Sequence, residues 1–369
     1  MDIDPDVIDA LTDHGARGVL TEFLAQGEGC GWCRRPVRLS GERYAVDPVS
    51  GARRRVFSSH DKPGGVVLKA CGNRRETRCP TCAAVYRADA RHLVKAGLQG
   101  GKGVAESVAS HPAVLLTLTA PSFGPVHRSK TDSPCRPASP SRRCVHGRPV
   151  GCFARHHGDD ALVGSPLCPD CYDYEAAVLH NAVVPELWRR TSLYIPRHLA
   201  RHLGLTQAQC RARYRVSYLR VAEFQRRGAV HLHVVVRLDD ADGGVPDASV
   251  DTLVAACLSA AQAVAVGLEG QVLAWGTQLD VAVLHREESR AGRLAAYVAK
   301  YATKSSERSG ALDDRILDEA DLVDRRLPDH ERRLAETAWT LGGVEELSHL
   351  RLRRYAHVLG YGGQFLCKS

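Results

Sequence analysis

Two histidines on one predicted strand are the residues of this sequence best placed to hold a catalytic metal ion. The segment 227–238, RGAVHLHVVVRL, is rich in Val and Leu and alternates with a period of two, which predicts a β-strand entered through a glycine turn. Alternate side chains of a strand share a face, so His231 and His233 project together, about 7 Å apart along the pleat. They could hold one cation if a neighbouring strand supplies a further ligand.

The further ligand is predicted to be Glu223, on the preceding strand. Residues 214–225 have strand character, and residues 226–228 have the composition of a hairpin turn. The hairpin brings the Glu223 carboxylate onto the face of the two histidines. An oxygen ligand beside two imidazoles leaves open positions, which suits Mg²⁺ or Mn²⁺ better than a closed zinc site. Gln225 has the same parity and is the alternative ligand.

A second group of reactive side chains lies on a predicted helix. The segment 293–304, RLAAYVAKYATK, has helix-forming residues, and its i, i+4 spacing places Tyr297 and Tyr301 on one face. Lys300 and Lys304 repeat that spacing. Alone, this pattern is equally compatible with a core helix that packs two tyrosines, but a metal-ligand strand in the same chain favours a catalytic interpretation.

These segments resemble motifs of a known superfamily. The residues HLH at 231–233 are similar to the His-hydrophobic-His motif of HUH endonucleases, and YVAKYATK at 297–304 resembles the two-tyrosine motif of bacteriophage-type rolling-circle initiators. The strand AVLLTLTA at 113–120 resembles the first motif of that superfamily. Three further segments, 70–75, 167–174 and 275–280, extend the resemblance over nearly the whole chain to RepSA-like replication initiators of actinobacterial plasmids and integrative elements.

The resemblance implies an initiator that nicks one DNA strand at an origin by metal-assisted transesterification. A tyrosine would form a 5′-phosphotyrosine bond and release a 3′-hydroxyl that primes synthesis, and a later attack would rejoin the strand to end rolling-circle replication. Tyr301 is the expected first nucleophile because YATK also fits the single-tyrosine form of the motif, and Tyr297 is the second. Lys300 and Lys304 would offset phosphate charge or help the hydroxyl lose its proton.

The thirteen cysteines predict zinc sites. A reducing compartment disfavours disulfides, and Cys-x-x-Cys spacing favours zinc over independent buried thiols. The first predicted site resembles a zinc ribbon, with ligands Cys30, Cys33, Cys79 and Cys82 and with Cys71 as a possible replacement. The second lies in a segment rich in Pro, Ser and Arg, with ligands Cys144, Cys152, Cys168 and Cys171 and with His146, His156 and Cys135 as substitutes. Two structural Zn²⁺ ions are therefore expected.

Composition indicates a soluble protein with a polyanionic partner. The chain has 369 residues, 44% of them hydrophobic and 25% charged, and a net charge of +8. It has no long apolar run, and its acidic first residues are unlike a signal peptide, so a cytoplasmic location is expected. Residues 100–103, GGKG, lack the Walker spacing. The expected partners are therefore single-stranded or hairpin origin DNA and a host helicase and polymerase.

The pattern of predicted elements is β-α-β-β-α-β-α, which indicates an α+β fold. An antiparallel sheet with helices on one face, of the ferredoxin-like or split βαβ type, is the core that the HUH resemblance also implies. Residues 1–108 would form an N-terminal helix and a zinc-ribbon-like domain, and residues 109–308 the endonuclease domain, with a zinc-binding insertion at about 121–175. Residues 309–369 would form a helical segment. Similar initiators continue further, so a missing C-terminal module is an open alternative.

Three other functions are compatible with parts of the pattern. A zinc-containing DNA-binding regulator without catalysis explains the cysteines and the charge, but it leaves the histidine strand and the tyrosine helix without a purpose. An HUH transposase or relaxase keeps the chemistry, although relaxases usually carry a third histidine where this chain has Val235. An RNA-binding zinc protein is disfavoured by the same catalytic residues.

Overall fold

The computed structural model describes residues 20–284 and 314–369. The chain divides into two compact units, with the boundary after Asp89. Residues 90–108 and the described part of 309–369 belong to the same unit as the central sheet.

The N-terminal unit is built from short elements. The helix α1 (Leu20–Gly29) is followed by two small antiparallel ribbons, in which β1 pairs with β4 and β2 pairs with β3. The strands are β1 (Val37–Leu39), β2 (Glu42–Val46), β3 (Arg53–Ser58) and β4 (Val67–Lys69). The helix α2 (Pro80–Gln99) begins in this unit.

The second unit contains one five-stranded sheet and the helices that cover it. The strands of this unit are β5 (Ala113–Leu118), β6 (Tyr214–Phe224), β7 (Val230–Asp240), β8 (Ala265–Leu268), β9 (Gln271–Ala274), β10 (Leu279–Val283) and β11 (Leu366–Lys368). Of these, β8 and β9 pair only with each other. Its further helices are α3 (Tyr174–His202), α4 (Gln207–Arg213), α5 (Val250–Gln262), α6 (Glu319–Asp324), α7 (Asp329–Leu341) and α8 (Leu352–Tyr355).

The sheet has the strand order β10-β5-β7-β6-β11, and every neighbouring pair is antiparallel. The strand that carries the two histidines, β7, is therefore at the centre. The prediction of an α+β fold with an antiparallel sheet is confirmed, and so is the hairpin formed by β6 and β7.

One face of β7 is apolar from Val230 to Leu238 and contributes to the main core. Val230, Leu232, Val234, Val236 and Leu238 are fully buried, in the same cluster as side chains of α3 and α5. Alternation along the strand therefore leaves the histidines on the opposite face. A helix also contacts that face, since the Arg237 guanidinium donates a hydrogen bond to the Gly97 carbonyl of α2.

The strands β9 and β10 are separated by a short irregular segment. Trp275 and Gly276 turn away between them, and the Gly276 N–H donates to the Thr119 carbonyl at 2.7 Å. A side chain at position 276 would place its Cβ 2.8 Å from the Ala120 carbonyl oxygen, so only glycine fits this approach. Helix α5 ends at Gln262, and β8 begins three residues later at Ala265.

The C-terminal segment is part of the main sheet rather than a separate helical region. Helix α7 is regular, whereas most of 344–357 forms short 3₁₀ turns around α8. Tyr361 is 1% exposed in the core, and its hydroxyl donates to the Gln364 carbonyl at 2.7 Å. Residues 366–368 then pair with β6 as the edge strand β11.

No helix in the described ranges is both long enough and apolar enough to cross a membrane.

A buried asparagine holds the turn between β6 and β7. The Asn181 amide donates to the carbonyls of Gly228 at 2.8 Å and Leu359 at 2.9 Å, and its oxygen accepts the Val230 N–H at 2.8 Å. Its side chain is fully buried, so water cannot replace these bonds.

We expect Asn181→Ala to lower the free energy of unfolding by about 3 kcal/mol, because it leaves three buried backbone groups without partners. The measurement is a denaturant titration followed by circular dichroism. The control is Gln262→Ala, an exposed amide at the end of α5, which should change the value by less than about 0.5 kcal/mol. Equal unfolding midpoints for the two variants would contradict this role of Asn181.

Candidate metal centres

The register of the β6–β7 hairpin brings the predicted catalytic ligands together. Glu223 pairs directly with His231, and the rings of His231 and His233 lie with centroids 4.4 Å apart at an angle of 72°. The His233 Nε2 is 3.5 Å from the Glu223 Oε2. Ligands at right angles around a cation with bonds near 2.1 Å are about 3 Å apart, so small side-chain shifts would let both atoms bind one ion.

Thr117 of β5 and Thr119, the first residue after that strand, contact the histidine rings. The Thr119 hydroxyl is 3.1 Å from the His231 Nδ1, and the Thr117 hydroxyl is 3.5 Å from the His233 Nδ1. These contacts are made at the Nδ1 atoms, so each ring would bind a metal ion through its Nε2. Burial, followed by the charges of His233 and Arg227, lowers the pKa of His231 to about 3, so its imidazole is neutral, as a ligand must be.

The alternative ligand Gln225 is already engaged. Its side-chain oxygen accepts a hydrogen bond from the Arg227 Nε at 2.8 Å. The geometry therefore favours Glu223. The ligand atoms of Glu223 and the two histidines are spaced more widely than those of the zinc-type sets described below. In each of those sets, all ligand atoms lie within 4.8 Å of one another.

Arg227 ties the hairpin turn to the loop after β5. Its guanidinium donates to the carbonyls of Pro121 at 2.6 Å and Ala120 at 2.9 Å. Its own carbonyl accepts hydrogen bonds from the Tyr172 hydroxyl at 3.2 Å and from the His330 Nε2 at 3.0 Å. Burial lowers the pKa of His330, which keeps this ring neutral. The turn beside Glu223 is thus held from three segments of the chain.

Four cysteines of the N-terminal unit form a zinc-type set: Cys33, Cys71, Cys79 and Cys82. Their sulfur atoms are 3.6 to 3.7 Å apart in the pairs Cys33–Cys79, Cys33–Cys82 and Cys71–Cys82. Bonds of 2.3 Å in a tetrahedron place sulfur atoms about 3.8 Å apart, whereas a disulfide needs about 2.05 Å. The set therefore fits a structural zinc ion.

This set differs from the predicted one in a single member. Cys30, predicted as a ligand, lies at the end of α1, where its N–H bonds to the Gln26 carbonyl and its thiol donates to the Gly27 carbonyl at 3.2 Å. Cys71, the predicted replacement, takes its place in the set. In the structure the Cys30 thiol is directed to a helix carbonyl, and Cys30 is not a member of the set.

Backbone N–H groups favour the thiolate form of Cys79, whereas burial raises the pKa of Cys71 and Cys82. Burial opposes ionisation of Cys79, but hydrogen bonds from the backbone of Cys82 and Arg34 and from the side chains of Cys82 and Cys33 lower its pKa to about 6. Zinc binds thiolates, so this environment suits a metal ligand.

The insertion after β5 contains two sets where the sequence predicted one. The first consists of Cys144, His146, Cys168 and Cys171, and the second of His127, Cys135, Cys152 and His156. Cys152 was predicted to join the first set. Instead, backbone hydrogen bonds of 2.8 and 2.9 Å between Cys152 and Arg136 place it beside Cys135 and away from Cys144.

The set around His156 includes an outer carboxylate. The His156 Nε2 lies 3.2 Å from the His127 Nδ1 and 3.4 Å from the Cys152 sulfur, while its Nδ1 bonds to the Asp160 Oδ2 at 2.6 Å. A carboxylate on the far nitrogen of a histidine is a frequent partner of zinc ligands. His127 was not among the predicted ligands, and only its position eight residues before Cys135 could have suggested it.

The set around His146 is more exposed. The His146 Nδ1 is 3.2 Å from the Cys171 sulfur and 3.8 Å from the Cys168 sulfur. Burial raises the pKa of Cys144, but backbone hydrogen bonds from Arg148 and His146 overcome this and lower it to about 7. His146, predicted as a substitute, is therefore a full member of this set.

The His156 set is connected to the hairpin turn. The Asp160 carbonyl accepts a hydrogen bond from the Arg226 guanidinium at 2.7 Å. Gly164, with a φ of 95°, packs so closely that a Cβ there would lie 2.4 Å from the Arg226 carbonyl carbon. The conformation of the insertion therefore influences the position of the turn next to Glu223.

The predicted nucleophiles Tyr297 and Tyr301, and the predicted Lys300 and Lys304, lie outside the described residues.

Comparison with known proteins finds a replication family. Residues 20–369 match the family model RepSA, described as replication initiator protein, pSAM2. A replication initiator protein of Streptomyces ambofaciens is 38% identical over 354 residues, which cover 90% of this chain and 73% of that protein. No solved structure matches the chain.

The three sets predict the zinc content of the protein. We expect three zinc ions per chain by native mass spectrometry, and two in the Cys71→Ser variant, because removing one of four thiolates opens a closed site. Cys30→Ser is the matched control and should keep all three ions. A Cys30→Ser protein that loses zinc, beside a Cys71→Ser protein that does not, would restore the ligand set predicted from the sequence.

Proposed function

Because the chain belongs to the RepSA family of replication initiators, we propose that it begins replication by nicking one strand of an origin through tyrosine transesterification. The observation that carries the proposal is the β6–β7 register. It sets Glu223 opposite His231 on the central strand and leaves the His233 Nε2 3.5 Å from the Glu223 carboxylate. The antiparallel sheet around this site is consistent with an HUH endonuclease core.

His231, His233 and Glu223 would hold Mg²⁺ or Mn²⁺. When bound, such an ion supplies Lewis acidity at a non-bridging oxygen of the scissile phosphate. The contribution of the chain is to present two imidazoles and one carboxyl group from paired strands. Thr117 and Thr119 hold the rings in position, so little reorganisation is needed when DNA arrives.

Tyr301 is the proposed first nucleophile. Its oxygen attacks phosphorus in line, a bond forms between tyrosine and the 5′-phosphate, and the bond to the 3′-oxygen breaks. The tyrosine proton leaves, and the 3′-oxygen takes up a proton to become the primer hydroxyl. Tyr297 would cleave the newly made origin in a second transesterification, and the 3′-hydroxyl released there would attack the Tyr301 phosphotyrosine, which rejoins the strand and frees Tyr301. Lys300 and Lys304 would stabilise the added negative charge and favour the tyrosinate.

The expected substrate is single-stranded or hairpin origin DNA, because a phosphate within a stacked duplex is poorly placed for in-line attack. The net charge of +8 favours a polyanion. Strand separation and extension of the 3′-hydroxyl would depend on a host helicase and polymerase.

The zinc-type sets would have a structural role. Four protein ligands close a zinc site to substrate, so the three sets are unsuited to Lewis-acid chemistry on DNA. In the insertion, zinc would fix the conformation of a segment that has few apolar residues. The hydrogen bond between Asp160 and Arg226 would then restrain the hairpin turn.

The first test is covalent capture of DNA. We expect the purified protein to form an adduct with a labelled single-stranded oligonucleotide from the replicon origin in Mn²⁺, stable on a denaturing gel, and to lose it in EDTA. Tyr301→Phe should abolish most of the adduct and Tyr297→Phe should leave most of it. The Tyr297→Phe/Tyr301→Phe protein should form none.

The single variants also test the order of attack. An adduct that survives Tyr301→Phe and disappears with Tyr297→Phe would exchange the roles of the tyrosines. Metal-independent binding without any adduct would indicate a DNA-binding regulator instead.

The third ligand is tested by a pair of variants on one strand. We expect Glu223→Ala to raise the Mn²⁺ concentration for half-maximal adduct formation by at least about tenfold, because a ligand is lost. Gln225→Ala removes the alternative ligand and should change that concentration by less than about twofold. The reverse pattern in the Mn²⁺ titration would assign the site to Gln225.

A further inference from the structure

The β2–β3 ribbon of the N-terminal unit is exposed on both of its faces. All five residues of β2 and the first four of β3 are exposed, including Tyr44 at 42% and Val46 at 56%. A two-stranded ribbon with no covered face is only marginally stable by itself. Such a ribbon is therefore available to a partner.

The charge around the ribbon identifies the kind of partner. Residues 34–62 contain seven arginines and one lysine against three acidic residues. Two of the acidic groups are already engaged: Glu42 bonds to Arg55 at 2.9 Å, and the Asp47 carboxylate accepts the N–H groups of the turn between the strands. The surplus of guanidinium groups is complementary to the phosphates of DNA.

The two faces of the ribbon differ in how their arginines are used. On one face Arg55 is paired with Glu42, and the Arg53 guanidinium lies over the Tyr44 ring at 5.2 Å. On the other face are Arg43 and Arg54, and within the described part of the chain neither makes an ion pair or hydrogen bond through its side chain. This second face therefore presents two free guanidinium groups.

The spacing of these two arginines suits base recognition. Ala45 lies opposite Arg54 and two residues from Arg43, so the arginines are diagonal neighbours, which a regular ladder places about 7 Å apart; a register shift between Arg43 and Tyr44 adds local twist to the ribbon between them. Two base-pair steps of duplex DNA span a similar distance, about 7 Å. The small Ala45 side chain lets the backbone approach the groove floor. A two-stranded ribbon fits a major groove of about 12 Å, where arginine recognises guanine through two hydrogen bonds.

We propose that the β2–β3 ribbon reads duplex DNA in the major groove through Arg43 and Arg54. This inference rests on the proposed function, because it names the duplex that flanks the nicked strand as the ligand. The base of the ribbon is held in place for this task. The buried Ser59 bonds to Gly41 through both its N–H at 2.9 Å and its hydroxyl at 3.0 Å.

The experiment selects short duplexes from a randomised library with the wild-type full-length protein. The affinity for the enriched duplex and for a scrambled one is then measured by fluorescence anisotropy at several salt concentrations. We expect Arg43→Ala/Arg54→Ala to bind the enriched duplex at least about tenfold more weakly and to lose the preference over the scrambled duplex.

Two further variants separate base reading from charge. Arg43→Lys/Arg54→Lys should keep the salt dependence and lose the preference, because lysine lacks the planar fork of arginine. Arg91→Ala/Arg201→Ala removes the same charge from exposed positions of α2 and α3 and should keep the preference. Circular dichroism and zinc content establish that each variant is folded.

Two outcomes would overturn the inference. One is a library that yields no enriched sequence with the wild-type protein, and the other is an Arg43→Ala/Arg54→Ala variant that keeps the preference of the Arg91→Ala/Arg201→Ala control. Adduct formation on single-stranded DNA is measured in parallel. It should be unchanged in all these variants, so a failure of nicking is distinguished from a failure of duplex reading.

Discussion

The pairing register of β6 with β7 is the constraint on which the catalytic proposal depends. Side chains alternate along a strand, so a slip of one residue would turn His231 and His233 into the apolar core and expose Val230 and Leu232. The five buried residues on the other face of β7 make that slip costly. Burial of the apolar side chains therefore determines that His231 and His233 face the proposed metal site.

The turn of the same hairpin is held by polar contacts, and these come from distant parts of the chain. Asn181 fixes it from α3, Arg227 bonds to the loop after β5, and His330 approaches from α7. The insertion adds Asp160. Its carboxylate contacts His156 of a zinc-type set, and its backbone carbonyl accepts a hydrogen bond from Arg226 of the turn. A segment with too few apolar residues for its own core thus contributes to a site that needs fixed geometry.

Much of this arrangement was predictable from local patterns. The period-two strands, the glycine turn and the position of Glu223 opposite the histidines follow from alternation alone, and the resemblance to RepSA initiators is confirmed by the family match. The metal sets were harder. Cys71 in place of Cys30 depends on how α1 ends, and the partner of Cys152 depends on a backbone bridge to Arg136. Sequence spacing restricts such choices but does not specify the three-dimensional pairing. The docking of the last residues as β11 is likewise a long-range contact without a local signal.

The two proposed DNA contacts make opposite physical demands, which explains why one protein would use separate surfaces for them. Base reading by Arg43 and Arg54 needs an intact major groove, because the pattern of donors and acceptors disappears when the strands part. Attack on phosphorus needs the reverse, an unstacked strand whose phosphate can reach His231 and His233. A single rigid surface could not favour both states. Contacts to the duplex can hold the origin in place while the neighbouring base pairs open. The base contacts that give specificity therefore stay intact during strand separation.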